Sequence, residues 1–195
     1  PYPEVRDPDN PIINTDMLHA PPSRDTGRNV KLDKGPNIAS LPHLEALPQR
    51  LEALVALKVG DDISTDIIYP GRFMATVLPS ETPEYAFADD DDLNRRLREG
   101  DFQPGDVILG GQNFGSGSSR EQAASTLKGH ELVVVAKGFS RIFLQNAINL
   151  GLKTVDCPDI EAEEGDELEI TDVKVTKKSS GREFKVRPLP EARKA

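Results

Sequence analysis

The residues best suited to chemistry in this chain are Ser118, Ser119 and Arg120, at the end of a glycine-rich segment. Residues 110–124 read Gly-Gly-Gln-Asn-Phe-Gly-Ser-Gly-Ser-Ser-Arg-Glu-Gln-Ala-Ala. Glycines let a backbone approach a ligand closely, and the start of a helix offers free N–H groups to an anion. Arg120 adds a forked cationic donor that matches a carboxylate or a phosphate. The segment predicts a small-anion site; the alternative is that Ser118 or Ser119 only caps the helix.

The same segment departs from both common phosphate-binding motifs. It lacks the lysine of G-x-x-x-x-G-K-[ST], and it lacks the G-x-G-x-x-G spacing followed by an acidic residue that would bind a ribose. The segment therefore argues against a nucleotide as the ligand.

The composition argues against two classes of partner. The 195 residues carry a formal net charge of −9, whereas nucleic acid binds basic surfaces. No apolar run approaches the roughly 18 residues that a membrane span needs. We therefore expect no nucleic acid and no membrane as partner, and a small anionic ligand instead. The expected location is the cytoplasm, with the mitochondrial matrix as the alternative.

Metal-binding residue types are sparse. Cys157 is the only cysteine, and an iron–sulfur cube needs three or four thiolates. It follows an apolar stretch and is predicted to be buried. The three histidines, His19, His43 and His130, lack the spacing of metal ligands. The sequence predicts no metal site on this chain.

The glycine-rich segment must be positioned by an α/β domain that spans residues 51–195. Strands alternating with helices favour a mostly parallel core sheet, and the wholly apolar run 132–136 is typical of a sheet covered on both faces. Residues 61–72 are predicted to form a loop with a short extended piece. The predicted strands are 53–59, 107–109, 132–136 and 153–157, the predicted helices are 89–99, 121–128 and 140–149, and a terminal antiparallel pair follows within 168–186.

Residues 1–50 have a different composition and are predicted to form a proline-rich arm or linker. Nine prolines interrupt them, and proline breaks long helices and central strands. The arm is expected to lie extended over a surface. Because the first residue is Pro1 rather than Met, we expect a processed chain or part of a longer one.

Three ordered motifs resemble the swivelling domain of the aconitase superfamily, which includes aconitase, homoaconitase and the small subunit of 3-isopropylmalate dehydratase. The first is Gly-Asp-Asp-Ile-Ser-Thr-Asp-Ile-Ile-Tyr-Pro-Gly-Arg-Phe at 60–73, and the second is Gly-Ser-Gly-Ser-Ser-Arg-Glu-Gln-Ala-Ala at 115–124. The third extends from Lys-Gly-Phe-Ser-Arg-Ile-Phe at 137 to Asn-Ala-Ile-Asn-Leu-Gly at 146–151. The resemblance implies a swivelling-type β/β/α fold, and the arm resembles the connector before the last domain of single-chain aconitases.

The resemblance also implies a reaction, the reversible dehydration of a hydroxy di- or tricarboxylic acid. It makes Ser118 the base, as an alkoxide that removes a proton from a carbon next to a carboxylate, and makes Ser119 and Arg120 the carboxylate clamp. It places Thr65 and Asp66 at the rim, where Asp66 orients cationic groups; a residue of an Asx-turn is the alternative for Asp66. It implies a 4Fe-4S cluster bound by other domains or by a large partner subunit, without which this chain is expected to be inactive.

The substrate stays open on the sequence alone. Ile67 stands where true aconitases carry His, which is closer to the dehydratase and homoaconitase branch. Residues 72–76 resemble the loop that contacts the variable substituent of the substrate; there Ala75 replaces an arginine typical of homoaconitase-like subunits. Arg72 is predicted to bind substrate, with a surface arginine as the alternative. Aconitate or citrate, homoaconitate and isopropylmalate all remain candidates, and the alternative function is a non-catalytic anion-binding or interaction domain.

Overall fold

A computed structural model describes residues 11, 13–31, 48–76 and 78–188 of the chain, which divides into two units, residues 1–43 and 44–195. In the first unit the described residues are all exposed, and they include one short helix, α1 (Arg24–Arg28), which Ser23 caps. The arm prediction did not foresee this turn of helix. Most of its prolines lie outside the described residues, so the extended arm stays a prediction.

The second unit is built on one seven-stranded sheet with the order β4-β3-β2-β1-β5-β6-β7. Strands β1 to β4 pair in parallel with one another. Strands β5 to β7 pair antiparallel with one another, and β5 also pairs antiparallel with β1. The predicted mixture of a parallel core and terminal antiparallel strands is confirmed, with three terminal strands rather than a pair. The strands are β1 (Arg50–Lys58), β2 (Val107–Gly110), β3 (Val133–Ala136), β4 (Thr154–Asp156), β5 (Glu167–Thr171), β6 (Lys174–Lys177) and β7 (Arg182–Lys185).

Both faces of the central strands are buried, as the apolar run predicted. Along β3, Val134 and Ala136 belong to one core cluster, while Val133 and Val135 belong to the other. The first cluster packs under the helices. The second is enclosed by the sheet itself, because the sheet curls until the N–H of Arg187 donates to the carbonyl of Asp156 at 2.7 Å.

The described residues of this unit form four α-helices: α2 (Thr65–Ile68), α3 (Asp91–Glu99), α4 (Glu121–Gly129) and α5 (Arg141–Leu150). The predicted helices 89–99, 121–128 and 140–149 correspond to α3, α4 and α5. In α4 the helix includes Gly129, which was expected to end it. Gly129 is the last residue of α4, and a Cβ there would lie 2.2 Å from Cγ of Pro83, so this glycine also permits a close contact.

The segment after β1 corrects the prediction for residues 61–72. Instead of a loop with an extended piece, it contains α2 and a 3-10 helix at Gly71–Phe73. The side chain of Ser64 caps α2 by accepting the N–H of Ile67 at 3.2 Å. Ile68 is fully buried in the core. Local hydrophobic periodicity cannot reveal a single turn of helix that tertiary packing stabilises.

Candidate active site

Two chain segments meet beyond the carboxyl ends of β1 and β2, at the edge where ligands bind in open α/β sheets. The N–H of Thr65 donates to the carbonyl of Ser116 at 2.8 Å, and the N–H of Gly115 donates to the carbonyl of Ile63 at 2.7 Å. These bonds bring the Thr-Asp pair of the first segment against the glycine-rich segment.

Two aspartates that the sequence reasoning left unassigned fix this meeting point. The carboxylate of Asp61 accepts the N–H of Gln112 at 2.7 Å, and that of Asp62 accepts the side-chain amide of Asn113 at 2.8 Å. Their position shortly after the predicted strand 53–59 is the signal in the sequence that could have marked them as site residues. Their partners could not be predicted, because they lie about fifty residues away in sequence.

Aromatic rings pack against the buried part of the glycine-rich segment. Phe114 meets the rings of Phe139 and Phe143 edge-on, with centroid separations of 6.1 and 5.4 Å. Gly115 has a φ of +79°, and a Cβ there would lie 2.2 Å from Phe143. Only glycine satisfies both the backbone conformation and the space at this position.

Ser118 and Ser119 stand at the exposed end of the segment. Neither caps α4: Arg120 occupies the N-cap position, and no side chain caps the helix there. Within the described residues, neither serine hydroxyl has a hydrogen-bond partner, while the carbonyl of Ser118 accepts the hydroxyl of Thr65 at 3.1 Å. The capping alternative for these serines is therefore not what the structure shows.

Arg120 is the more buried of the two predicted arginines. Its side chain is 10% exposed, and its Nη1 forms an ion pair with Asp66 and donates to the carbonyl of Tyr69 at 3.2 Å. Its Nε is buried with no hydrogen-bond partner among the described residues. A Cβ on Gly71 would lie 3.1 Å from Nη2, so this glycine leaves room for the guanidinium.

The electrostatics agree with this arrangement. The hydrogen bond from Arg120, followed by its charge, lowers the pKa of the Asp66 carboxyl. Asp66 lies in the first turn of α2 rather than in an Asx-turn. Its carboxylate occupies Nη1, whereas the other edge of the guanidinium lies against the protein, since Nε is buried and Gly71 packs next to Nη2.

Thr65 and Arg72 differ from the rest of the predicted set. Thr65 is 1% exposed, and its hydroxyl is used on the Ser118 carbonyl, so it positions the loop. Arg72 has its own partners. It forms an ion pair with Asp89, donates to the carbonyl of Ala88 at 3.1 Å and lies over the ring of Phe73. Contacts thus link Thr65 to the Ser118 carbonyl and Asp66 to Arg120, with Ser119 between the two in sequence, whereas Arg72 pairs with Asp89.

A cleft of about 360 Å³ opens beside the site. Its lining mixes apolar and acidic residues: Val59, Asp66, Ile67, Phe87, Asp89, Asp90 and Leu93. Ser118 and Arg120 do not line it. Of its three carboxylates, Asp66 and Asp89 form ion pairs with arginines, and Asp90 accepts the N–H of Leu93 as the cap of α3.

Among the described residues, no cluster of three or more His, Cys, Asp or Glu side chains could hold a metal ion. Cys157 is buried, and burial, with Asp159 and Asp156 nearby, raises the pKa of its thiol to about 11. In the part of the chain that the structure describes, no helix is long and apolar enough to cross a membrane.

Comparisons with known proteins converge on one family. The model of the aconitase C-terminal domain family matches residues 84–159. The small subunit of 3-isopropylmalate dehydratase from Methanosarcina mazei is 39% identical over 142 residues, covering 70% of this chain and 84% of the relative. Small subunit 2 of the same enzyme from Archaeoglobus fulgidus is 44% identical over 144 residues, covering 70% and 82%.

A solved structure agrees with these sequence relatives. The crystal structure of 3-isopropylmalate dehydratase (leuD) from Methanocaldococcus jannaschii is similar to this fold with a TM-score of 0.65 and 34% identity. The similarity covers 74% of this chain and 85% of that one.

Proposed function

The chain belongs to the aconitase C-terminal domain family, and from this membership we propose that it is the swivelling domain of a hydro-lyase. It acts in the reversible dehydration of a hydroxy di- or tricarboxylic acid. It does so together with large cluster-bearing domains or a separate large subunit, and the two parts form what we call the assembled enzyme. The relatives are small subunits of 3-isopropylmalate dehydratase, which supports the reaction class.

The observation that carries the proposal is the state of Arg120. Its side chain is nearly buried, and Asp66 and the Tyr69 carbonyl fix one side of it, while Nε makes no hydrogen bond within the described residues. A buried donor without a partner is costly. If the loop opens at Nε on binding, a substrate carboxylate would reach Nε and Nη2 and satisfy the donor, and Ser119 would donate its hydroxyl to the same group.

Ser118 is the proposed base. Its hydroxyl is exposed beside Arg120 and has no partner among the described residues. A serine is a weak base, so an alkoxide there requires nearby positive charge and exclusion of water. Arg120 and the free N–H groups of the first turn of α4 supply positive potential, and closure of the other domains over the loop would exclude water.

The proton moves in defined steps. The Ser118 alkoxide takes the proton from the carbon next to a carboxylate, and the C–H electron pair becomes the new double bond. The C–O bond on the neighbouring carbon breaks as an acid of the other domains protonates the hydroxyl, which leaves as water; the proton on Ser118 then passes to that acid, which restores the alkoxide. Rehydration runs the same steps in reverse. Thr65 holds the loop at the Ser118 carbonyl, and Asp66 holds Arg120, so both act through positioning.

The 4Fe-4S cluster belongs to the other part of the assembled enzyme. The residues of this chain do not fit it, since the whole sequence has one cysteine, and that thiol is buried with a raised pKa. When bound by its own domains, the cluster supplies Lewis acidity at the leaving hydroxyl.

The proposed substrate is an alkyl-substituted malate. Arg72 pairs with Asp89 and therefore leaves the residues after it, Phe73, Met74 and Ala75, to form the wall of the 72–76 loop. An apolar wall accepts an alkyl group, whereas a buried extra carboxylate without a partner would be costly.

Arg120→Lys in the assembled enzyme tests the clamp. An ammonium cannot reproduce the two-pronged contact, so we expect KM to rise about 10- to 100-fold with a smaller change in kcat. Arg182→Lys is the matched control, because Arg182 is exposed and pairs with Glu161 on the antiparallel side. Equal effects of the two substitutions would contradict the proposed clamp.

The isolated chain tests the division of labour. After anaerobic iron–sulfur reconstitution we expect it to hold no iron and to show no hydratase activity. Stoichiometric iron on this chain alone would contradict the proposal. An assembled enzyme that dehydrates none of the candidate acids, while this chain still binds small carboxylates, would favour a non-catalytic anion-binding domain.

A further inference from the structure

We propose that Asp89 biases substrate preference without touching the substrate, by keeping Arg72 in an ion pair and so unavailable to the substrate. With Arg72 held, the site offers one guanidinium and favours an acid with an alkyl substituent. With Arg72 released, a second guanidinium could meet an additional carboxylate. The inference rests on the proposed function and assigns a specificity role to a residue outside the three motifs.

The guanidinium of Arg72 is held by three contacts. Nη1 forms an ion pair with Asp89, Nη2 donates to the carbonyl of Ala88 at 3.1 Å, and the group lies 4.6 Å from the centroid of the Phe73 ring. Of these three contacts, only the one with Asp89 joins opposite charges. Removing the charge of Asp89 therefore removes the main reason for this orientation.

The backbone of Arg72 nevertheless starts beside the site. A Cβ on Gly71 would lie 3.1 Å from Nη2 of Arg120 and 3.4 Å from Oδ1 of Asp66. The Cα of Arg72 is one residue further along, about 3.8 Å from that of Gly71. A long side chain at this position can turn toward a ligand on Arg120 or away from it, so its partner decides the direction.

The loop itself is anchored independently of this ion pair. The hydroxyl of Tyr69 donates to the carbonyl of Phe73 at 3.2 Å, and the Phe73 ring stacks on Tyr85 with a centroid separation of 4.3 Å. The N–H of Phe73 donates to the carbonyl of Pro70 at 3.0 Å. Loss of Asp89 should therefore free the Arg72 side chain and leave the backbone in place.

The ion pair is weak enough to act as a selector rather than a permanent lock. The side chains of Arg72 and Asp89 are 54% and 60% exposed, and exposed pairs contribute little to stability because water and salt screen them. Loss of this ion pair would change the relative populations of the Arg72 side-chain orientations by at most about fivefold. Asp89 and a substrate carboxylate would compete for the Arg72 guanidinium. Once Asp89 has lost its charge, a charge-assisted hydrogen bond in a closed site would favour the substrate carboxylate.

The test is a double-substitution cycle in the assembled enzyme, with kcat/KM measured for isopropylmalate and for homocitrate. We expect Asp89→Asn to shift the ratio of the two values toward homocitrate by about threefold to fivefold. The shift should disappear in the Asp89→Asn, Arg72→Ala double variant. Asp92→Asn is the matched control, since Asp92 is an exposed aspartate that pairs with Arg95 at 2.8 Å, and it should leave the ratio unchanged.

The outcomes separate the inference from the function on which it rests. An unchanged ratio in Asp89→Asn, or a shift that persists without Arg72, would overturn the role of Asp89 while the hydro-lyase assignment stands. Failure of the unsubstituted assembled enzyme to turn over either acid would instead count against the proposed function, and the inference would fall with it.

Discussion

The parallel and antiparallel halves of the sheet share strand β1 and differ in what their connections do. Parallel strands need long crossovers, and the crossovers at 59–106, 111–132 and 137–153 carry the helices and every candidate site residue. The antiparallel strands β5 to β7 are joined by short turns at 172–173 and 178–181, which carry none. The long crossovers bring distant residues to one edge, whereas the hairpins close the second core.

Glycines show the same difference at the level of single residues. Gly115 on the parallel side and Gly181 on the antiparallel side both have positive φ, +79° and +68°. A Cβ on Gly115 would collide with Phe143, while a Cβ on Gly181 would meet nothing within 4 Å. One glycine is required by packing under the candidate site, and the other only by the shape of its turn.

The largest expected effect comes from Ser118→Ala, which should lower kcat of the assembled enzyme by about a thousandfold or more with a modest change in KM. The reason is that the base acts mainly in the transition state. Ser180→Ala in the β6–β7 turn, where the hydroxyl accepts the N–H of Arg182 at 3.3 Å, should change neither constant. Near-normal kinetics for Ser118→Ala would remove the base from the proposal.

The next effect is on stability and compares the two glycines directly. Gly181→Ala should cost about 1 kcal/mol from the positive φ alone. Gly115→Ala should cost about 1–3 kcal/mol more, because its methyl group also overpacks the Phe143 contact. Urea unfolding of the full chain measures both values, and equal costs would mean that the segment shifts to accommodate the methyl group.

A smaller effect is expected for Ala75→Arg. Ala75 is exposed in the 72–76 loop, and an arginine there should shift kcat/KM toward the acid with the additional carboxylate by about 1–3 kcal/mol. The lower end of this range is expected because the position is exposed. Val173→Arg, 68% exposed in the β5–β6 turn, is the control. Unchanged ratios for isopropylmalate, citrate and homocitrate would mean that the loop does not read the substrate.

The smallest effect is expected at Cys157, where the two edge strands of the curled sheet, β4 and β7, approach each other. The Cys157 sulfur lies 3.5 Å from the carbonyl of Lys185, and its thiol has a pKa of about 11 against an ordinary value of 9.0. The unfolded chain therefore loses this proton first, so its contribution to stability should be complete below pH 9 and decline as the pH rises toward 11. The difference between the unfolding free energies of the unsubstituted chain and of Cys157→Ala should be constant below pH 9 and should change with pH only in that window. Rapid alkylation of the native thiol at pH 8 would contradict the burial.

The sequence by itself determined the fold class and the motif at its centre. The apolar runs of β2 and β3, the capped helices and the Gly-Ser-Gly-Ser-Ser-Arg string are local patterns, and the parallel core and family membership that they predicted are confirmed. The apolar stretch before Cys157 also predicted that this residue is buried, which is confirmed. Each of these properties depends on residues close together along the chain, so the pattern itself contains the information.

Only the tertiary structure decided how side chains that are distant in sequence are paired. The spacing of residues could not show that Arg120 pairs with Asp66 while Arg72 pairs with Asp89, because both arginines are followed by plausible helical or loop residues and both have acids nearby in sequence. It also could not show that residues 61–72 form α2 and a 3-10 turn, since contacts with the glycine-rich segment stabilise them. Such pairings depend on how two crossovers meet at one edge of a sheet, and that meeting is a property of the folded chain.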